Sequence, residues 1–435
     1  MTTIKACSVC LVNLLVILLA VGLTNCGSSQ ASTKKTSGLK KRVLVSNTLG
    51  NVFRDRFGHL ILDHEGMGIG AVDIMDASTD TFVSRENPFS DLSSELSRVL
   101  FIPALGAAGM STGGGVTAVI NANGHGLSLI DNAKEEMSQA VNLPHHVEDI
   151  AVSPDGKHAY AAVRNAGQVA IVSTADGSSF AVPVPLPRRL VLSPKGTRLL
   201  VFADEPQLLP APQTNAFFII DTAARTATPI SLPGQDHPVF GVFNGSETQA
   251  YILNCGAECA GVSASVMLID FSATPAVVAS VPVSAATIGL LSGNNLYVAG
   301  TPPGLLGILH TINTNTMTAS TPVAITDGHH GRIGMAADRL YVGAIACTPA
   351  ENGATGRIRG CLTIFNLTSR TASFPEVSSL RGAFDVTAIT PIAGRNVVYV
   401  CQGGELDIFD TATDAVTNDR LDVVGVAVDA VQIDP

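Results

Sequence analysis

Short apolar or alternating runs, each about four to eight residues long and each stopped by a turn, follow one another from residue 42 to the end of the chain. The clearest stretch is 147–180, VEDIAVSPDGKHAYAAVRNAGQVAIVSTADGSSF. IAVS, AYAAV and QVAIV have the two-residue period or the continuous apolar character of half-buried or buried strands. Between the first two lies Ser153-Pro154-Asp155-Gly156. There Pro presets φ, Asp tolerates the bridge region, and Gly accepts the positive φ that closes a hairpin. After the third strand comes Ser173-Thr174-Ala175-Asp176-Gly177, where a side-chain oxygen can accept from the backbone N–H two residues on and start the next turn. One such sheet cannot cover its own faces, so copies must stack.

Copies are present. The second strand of the unit recurs as RVLVSN (42–47), VTAVINA (116–122), RLLVFA (198–203), QAYILN (249–254), NLYVAG (295–300), RLYVGA (339–344) and VVYVCQ (397–402). The third strand and its turn recur as DIMDASTDT (73–81), SLIDNAKEE (128–136), FIIDTAART (218–226), MLIDFSATP (267–275), HTINTNTMT (310–318), TIFNLTSRT (363–371) and DIFDTATDA (407–415). The spacing is broadly that of a four-stranded propeller blade, roughly 40–50 residues. The expected fold is therefore all-β, a single propeller of eight blades, or seven if the irregular segment 83–128 forms no blade of its own. RVLVSN has no first strand before it, and DVVGVAVDAVQI (422–433) has no second strand after it. The C-terminal strand is expected to join the first blade, closing the ring and removing both sheet edges.

The 147–180 copy, with its SPDG turn, AYAAV strand and IVSTADG strand end, resembles the YVTN-type β-propeller repeat. NLYVAG and DIFDTATDA are similar. The resemblance implies a propeller, a binding or lactonase-like role, and an extracytoplasmic setting. There is no Trp in the chain, which departs from WD40 and quinoprotein propellers.

At 435 residues, with 46% hydrophobic and 14% charged content, the chain can bury a large core. A net charge of −10 argues against nucleic acid as a partner. Residues 1–26 read as a signal peptide, with Lys5 before the apolar run Leu11 to Leu23. Leu23-Thr24-Asn25-Cys26 resembles a bacterial lipoprotein cleavage box that would lipidate Cys26, although Asn25 stands where a small residue is usual. Cleavage after Ser29-Gln30-Ala31, or an uncleaved anchor, are the other readings. Residues 27–41 then form a flexible tether, and 42–435 the propeller. Contact with a membrane is expected only through this N-terminus, which places the protein in the periplasm or at the cell surface, or makes it secreted.

Cysteine usage fits an oxidising compartment. Cys347 and Cys361 flank one long loop and Cys255 and Cys259 a shorter one, so each pair is expected as a disulfide. Closing a loop of about 15 residues is worth roughly 3 kcal/mol in the chain-entropy model. Cys401, mid-strand in VVYVCQ, reads as a buried small hydrophobe. Asn244-Gly245-Ser246 and Asn366-Leu367-Thr368 match the glycosylation pattern but sit where turns are expected.

In four-stranded antiparallel blades the 1–2 and 3–4 turns share one face of the disc, and the 2–3 loops and 4–1 crossovers share the other. The turns here are short; the 2–3 loops at 48–70, 204–215, 255–264 and 348–360 are long, and long loops in compact repeats carry function. The crossovers bear Pro144-His145-His146, Pro187-Arg188-Arg189, Asp236-His237-Pro238, Gly328-His329-His330-Gly331-Arg332 and Leu380-Arg381-Gly382. His145, His146, Arg189, His237, His329, His330, Arg332 and Arg381 thus fall just before innermost strands, where they can line the mouth of the central channel and hold an anion. No metal is assigned, because these imidazoles come from separate blades. Glu148, Asp149, Asp236, Asp327 and Asp385 lie nearby; the plain alternative is ordinary loop polarity. Asp76, Asp131, Asp221, Asp270 and Asp410, at third-strand ends, read as turn formers on the opposite face.

No G-x-S-x-G elbow, P-loop or HExxH motif occurs. No cofactor is called for: there is no CxxCH and no Trp, which disfavours a redox-accessory propeller. The sequence supports first an exported, lipid-anchored module binding a small molecule or protein on the loop-bearing face. The alternative is a lactonase-like hydrolase at the channel mouth.

Overall fold

The computed structural model describes residues 36–49, 52–54, 60–62, 69–83, 99–102, 106–122, 125–203, 215–347, 361–375, 385–421 and 426–434. Residues 1–35 with Cys26, the crossover bearing Arg381, and most of the 48–70, 204–215 and 348–360 loops lie outside the described residues. Among the described residues no helix is long and apolar enough to cross a membrane.

Eight antiparallel sheets form a closed ring. Their inner strands, in order round the channel, are Val426–Gln432, Gly106–Gly113, Asp149–Val152, Arg189–Leu192, Pro238–Phe243, Ile288–Ser292, His329–Ala336 and Val386–Pro391, and we number the blades 1 to 8 in that order. Each inner strand packs against the next, and the eighth meets the first. The segment 83–128 does yield a blade: Gly106–Gly113 and Val116–Ala122 pair and are extended by Gly126–Asp131 and Glu136–Asn142. Eight blades are therefore present, and each second-strand run read from the sequence is the second strand of one of them.

The ring closes with the chain's own tail. Val426–Gln432 pairs antiparallel with Arg42–Leu49, from Val43 opposite Gln432 to Thr48 opposite Val426. Asp434 then clamps Arg42, with Oδ2 2.7 Å from Nε and Oδ1 2.8 Å from Nη2. Residues 36–41 run along the turn-bearing face, where the Lys41 ammonium donates to the Ala393 carbonyl at 2.7 Å.

The core lies between blades, because the flat sheets are apolar on both faces. Tyr160, Ala162 and Val169 of blade 3, for example, pack on Leu190, Leu199 and Val201 of blade 4. At most junctions an inner-strand side chain also reaches the neighbouring backbone. Asp429 accepts from Met110 N–H at 2.7 Å, Ser111 Oγ from Val152 N–H at 3.0 Å, and Asp149 from Leu190 N–H at 2.8 Å. Thr390 Oγ1 donates to the Ala430 carbonyl at 2.6 Å, across the closure itself.

Turn chemistry accounts for the repeated acids. Asp76, Asp131, Asp221, Asp270 and Asp410 each accept the backbone N–H two residues on, at 2.7–3.0 Å. Asn366 does the same from Thr368 N–H, and Asn244 accepts from the Ser246 hydroxyl. In the two Ser-Pro-x-Gly turns, Gly156 and Gly196 take φ of 71° and 74°, a conformation that glycine enters without steric cost. Cys255–Cys259 and Cys347–Cys361 are paired, each with a Cα–Cα separation of 5.7 Å, and Cys401 is a buried free thiol.

Candidate functional site

A cavity of about 290 Å³ opens at the channel mouth on the loop-bearing face. Its polar wall is Glu148, Asp149, Arg188, Arg189, His329, His330 and Arg332, with Thr287 and Thr387; its apolar wall is Val239, Ile345 and Val386. These residues come from six successive blades, and each lies at or beside the start of an inner strand or the end of a second strand.

Arg189 is the first residue of its inner strand. Its guanidinium carbon stands 5.4 Å from the Phe240 ring centroid of blade 5, a cation–π stacking distance. A Cβ added at Gly331 of blade 7 would meet its Nη2 at 3.4 Å. Arg189 therefore crosses part of the mouth from blade 4 toward blade 7, and among the described residues no protein acceptor is hydrogen-bonded to its guanidinium. Arg332 enters from the other side. A bulge between His330 and Arg332 inserts Gly331 into the strand, and bulges of this kind re-aim side chains. The Arg332 Nε donates to the Thr387 carbonyl at 2.5 Å, and Nη1 to the Gly331 carbonyl at 3.1 Å.

Two carboxylates balance the guanidiniums from within the channel wall. Burial pulls the Arg189 pKa down to about 10; Asp149 opposes this, and Arg332 and Arg188 add to it. Burial also raises the Asp149 pKa against the Leu190 N–H and the fields of Arg189 and Arg332. Asp429, in the closing strand, is pushed up to about 6 by burial, against the field of Arg332 and the Met110 and Ala430 N–H bonds. Arg188 sits 3.7 Å from Glu148.

Behind His329 lies a second carboxylate that the sequence reading missed. The Cys255–Cys259 disulfide closes a single 3₁₀ turn, Gly256–Cys259. Asp236 holds the chain that follows through the Val262 and Ser263 N–H groups, both at 2.7 Å. The turn buries Glu258, which accepts from Thr301 N–H at 2.8 Å and lies 3.9 Å from His329 Nδ1. Burial raises its pKa, opposed by His329 and the Thr301 N–H. A lone acid inside CGAEC was the available signal.

The structure divides the residues singled out from the sequence. Arg189, His329, His330 and Arg332 line one cavity. His145 and His146 do not join them: both are exposed and gather with His125, at ring-centroid distances of 5.9 and 4.8 Å. His237 is buried outside the cavity, its Nδ1 2.6 Å from Asp236 Oδ1. The five imidazoles therefore do not converge: only His329 and His330 share the cavity. Among the described residues no group of three or more His, Cys, Asp or Glu side chains is placed to hold a metal ion.

Comparison with solved structures gives the same architecture. NirN, a dihydro-heme d1 dehydrogenase solved in complex with DHE, superposes with a TM-score of 0.60 at 13% identity, over 91% of this chain and 75% of its own. The fold is a β-propeller. The computationally designed protein Ika8 superposes at 0.54 and 11% identity, over 74% of this chain and 89% of its own. These identities establish the fold alone. No protein-family model and no curated protein matches the sequence.

Proposed function

We propose that this propeller is an exported binding module, tethered by a lipidated Cys26, that takes up a small anionic molecule at the channel mouth. The observation that carries the reading is the Arg189 guanidinium: desolvated, stacked on Phe240, lining the cavity, and with no protein acceptor among the described residues. Arg332, whose guanidinium meets only backbone carbonyls, adds a second cation to the same cavity. A carboxylate or sulfate matches the planar fork of a guanidinium and supplies the acceptors it lacks. The volume lies just below the range of drug-sized pockets, about 300–1,000 Å³, so it suits a metabolite-sized anion.

The paired cysteines support an oxidising compartment. The tether supports an outward-looking site: residues 36–41 follow the turn-bearing face, so a membrane anchor at the N-terminus leaves the cavity on the distal side. Titration with sulfate by calorimetry tests the reading. Wild type is expected to bind, and Arg332→Gln to bind about tenfold more weakly, the scale of one charge-assisted hydrogen bond. Undiminished affinity in the variant overturns the role given to Arg332.

One observation favours a second reading, a lactonase-like hydrolase. The Glu258–His329 separation of 3.9 Å suits a general base oriented by a carboxylate, with Arg189 to polarise a carbonyl. Turnover of a lactone, lost in His329→Ala, decides for this reading over simple binding.

A further inference from the structure

The large apolar side chains left exposed fall into two groups. Met137, Phe180, Val277, Val278 and Val416 stand on the outer strands of their blades, where isolated apolar residues are ordinary. The rest among the described residues, Val262, Leu305, Leu306 and Ile345, all lie on the loop-bearing face, on the consecutive blades 5, 6 and 7. Val262 is 86% exposed and Leu305 63%. The backbone beneath these four is tied from blade to blade. Asp236 accepts from Val262 N–H at 2.7 Å. Glu258, in the disulfide turn just before, accepts from Thr301 N–H at 2.8 Å, where the blade 6 loop begins. In that loop the Leu305 N–H donates to the Pro302 carbonyl at 3.1 Å. The Thr301 hydroxyl donates to the Gly328 carbonyl at 2.7 Å, and a Cβ added at Gly328 would meet the Ile345 carbonyl at 2.5 Å.

This platform adjoins the cavity. Ile345 belongs to both. A Cβ added at Gly307, the residue after Leu306, would meet Cε1 of His330, a residue of the cavity wall, at 2.6 Å. Apolar side chains gathered on one sector of a surface mark a docking site, and the guanidiniums beside them set the charge of what docks. From this juxtaposition, and resting on the anion-binding reading above, we infer that the anionic group held at the mouth is the terminal carboxylate of a polypeptide whose last residues are apolar. The carboxylate lies on Arg189 and Arg332. The final side chain meets Val239, Ile345 and Val386, and the residues before it cross Leu306 and Leu305 toward Val262. Facing sheets pack about 10 Å apart and an extended chain covers about 3.3 Å per residue, so three or four residues reach from the mouth over the next blade. A simple aliphatic acid matches less of this surface. A methylene chain wants one continuous trough, whereas these side chains stand on separate blades, at intervals that the side chains of an extended peptide can meet.

The test is calorimetric titration of the purified protein with the tripeptide N-acetyl-alanyl-valyl-leucine as its free acid, the same peptide as its C-terminal amide, octanoate and sulfate. The free acid is expected to bind about tenfold or more tighter than the amide, which lacks only the charge. It is also expected to bind tighter than octanoate. The double variant Leu305→Ser, Leu306→Ser, both exposed positions, is expected to weaken the peptide about tenfold, the scale of one apolar side chain left in water, and to leave sulfate unchanged. An amide as tight as the acid overturns the carboxylate's place on the arginines. Octanoate as tight as the peptide overturns the polypeptide, and a peptide indifferent to the double variant overturns the platform. Sulfate bound without the peptide overturns this inference and leaves the anion site standing; binding of neither overturns both. The comparison of ligands on the wild type decides the matter even if the variant does not fold.

Discussion

A chain ended at residue 425 is expected to lose its native fold. The missing segment is the inner strand of blade 1, and its removal strips the backbone ladder from Val43 to Thr48. Ala427 and Ala430, both buried, leave the core between blades 1 and 8. Asp429 and the Ala430 carbonyl, which tie blade 1 to blades 2 and 8, go with them, as does the Asp434 clamp on Arg42. Each ladder bond is worth about 1 kcal/mol net. The sum over the strand is then comparable with the whole stability of a domain, about 5–15 kcal/mol. It also exposes a sheet edge on the channel side. Thermal unfolding followed by circular dichroism checks this: the truncated chain is expected to show no cooperative transition. A transition within a few degrees of the full chain contradicts the closure.

Sulfate affinity is expected to rise as the pH falls from 8 to 5. Sulfate remains a dianion throughout this range, so the change belongs to the protein. Burial pushes Asp429 up to about 6 and raises Asp149 in the same direction. At pH 8 Asp429 is charged and draws on the field of Arg332. As the pH passes 6, Asp429 takes a proton, one negative charge leaves the channel, and Arg332 is freed toward the ligand. His330, lowered to about 4, contributes nothing to the change. The gain is expected to be up to about tenfold, one pKa unit of linkage, and Asp429→Asn is expected to remove most of the pH dependence. The same group has an effect on folding. A carboxyl raised on folding stabilises the native state while it is protonated, a contribution whole below about pH 4 and lost as the pH rises through 6. Calorimetric titrations at pH 5, 6, 7 and 8 check the binding curve; a flat or falling affinity toward pH 5 contradicts the role given to Asp429.

The fold was legible because it is written in local signals that repeat. SPDG at 153–156 and the acids at third-strand ends specify turns through their own backbone bonds, so neither needs the rest of the molecule to be read. The unpaired strand at each end of the chain then implied closure. The site was legible only in part, for physical reasons. The structure places Arg189, His329, His330 and Arg332 in the opening residues of inner strands around one cavity rather than just before them, and which side chains share that cavity was not readable. His145 and His146 lie in a crossover that leaves them exposed beside His125, and His237 is drawn aside by Asp236. Arg332 owes its direction to the extra residue at Gly331, and Glu258 reaches His329 only because the disulfide turn of blade 5 leans across blade 6 to blade 7. Such meetings join residues from different blades, distant in the sequence, and no local pattern encodes them. Asp429 was visible as one acid within an apolar run, yet its partner Met110 lies at the other end of the chain.

The central claim is that Arg189 and Arg332 together hold an anion at the mouth of a closed ring. Anomalous scattering from crystals grown or soaked with selenate at low millimolar concentration tests it most directly. The account predicts one selenium peak inside the cavity, within hydrogen-bonding reach of both guanidiniums, absent from crystals of Arg189→Gln. Selenate found only on the outer surface, or the same peak persisting in the variant, contradicts it.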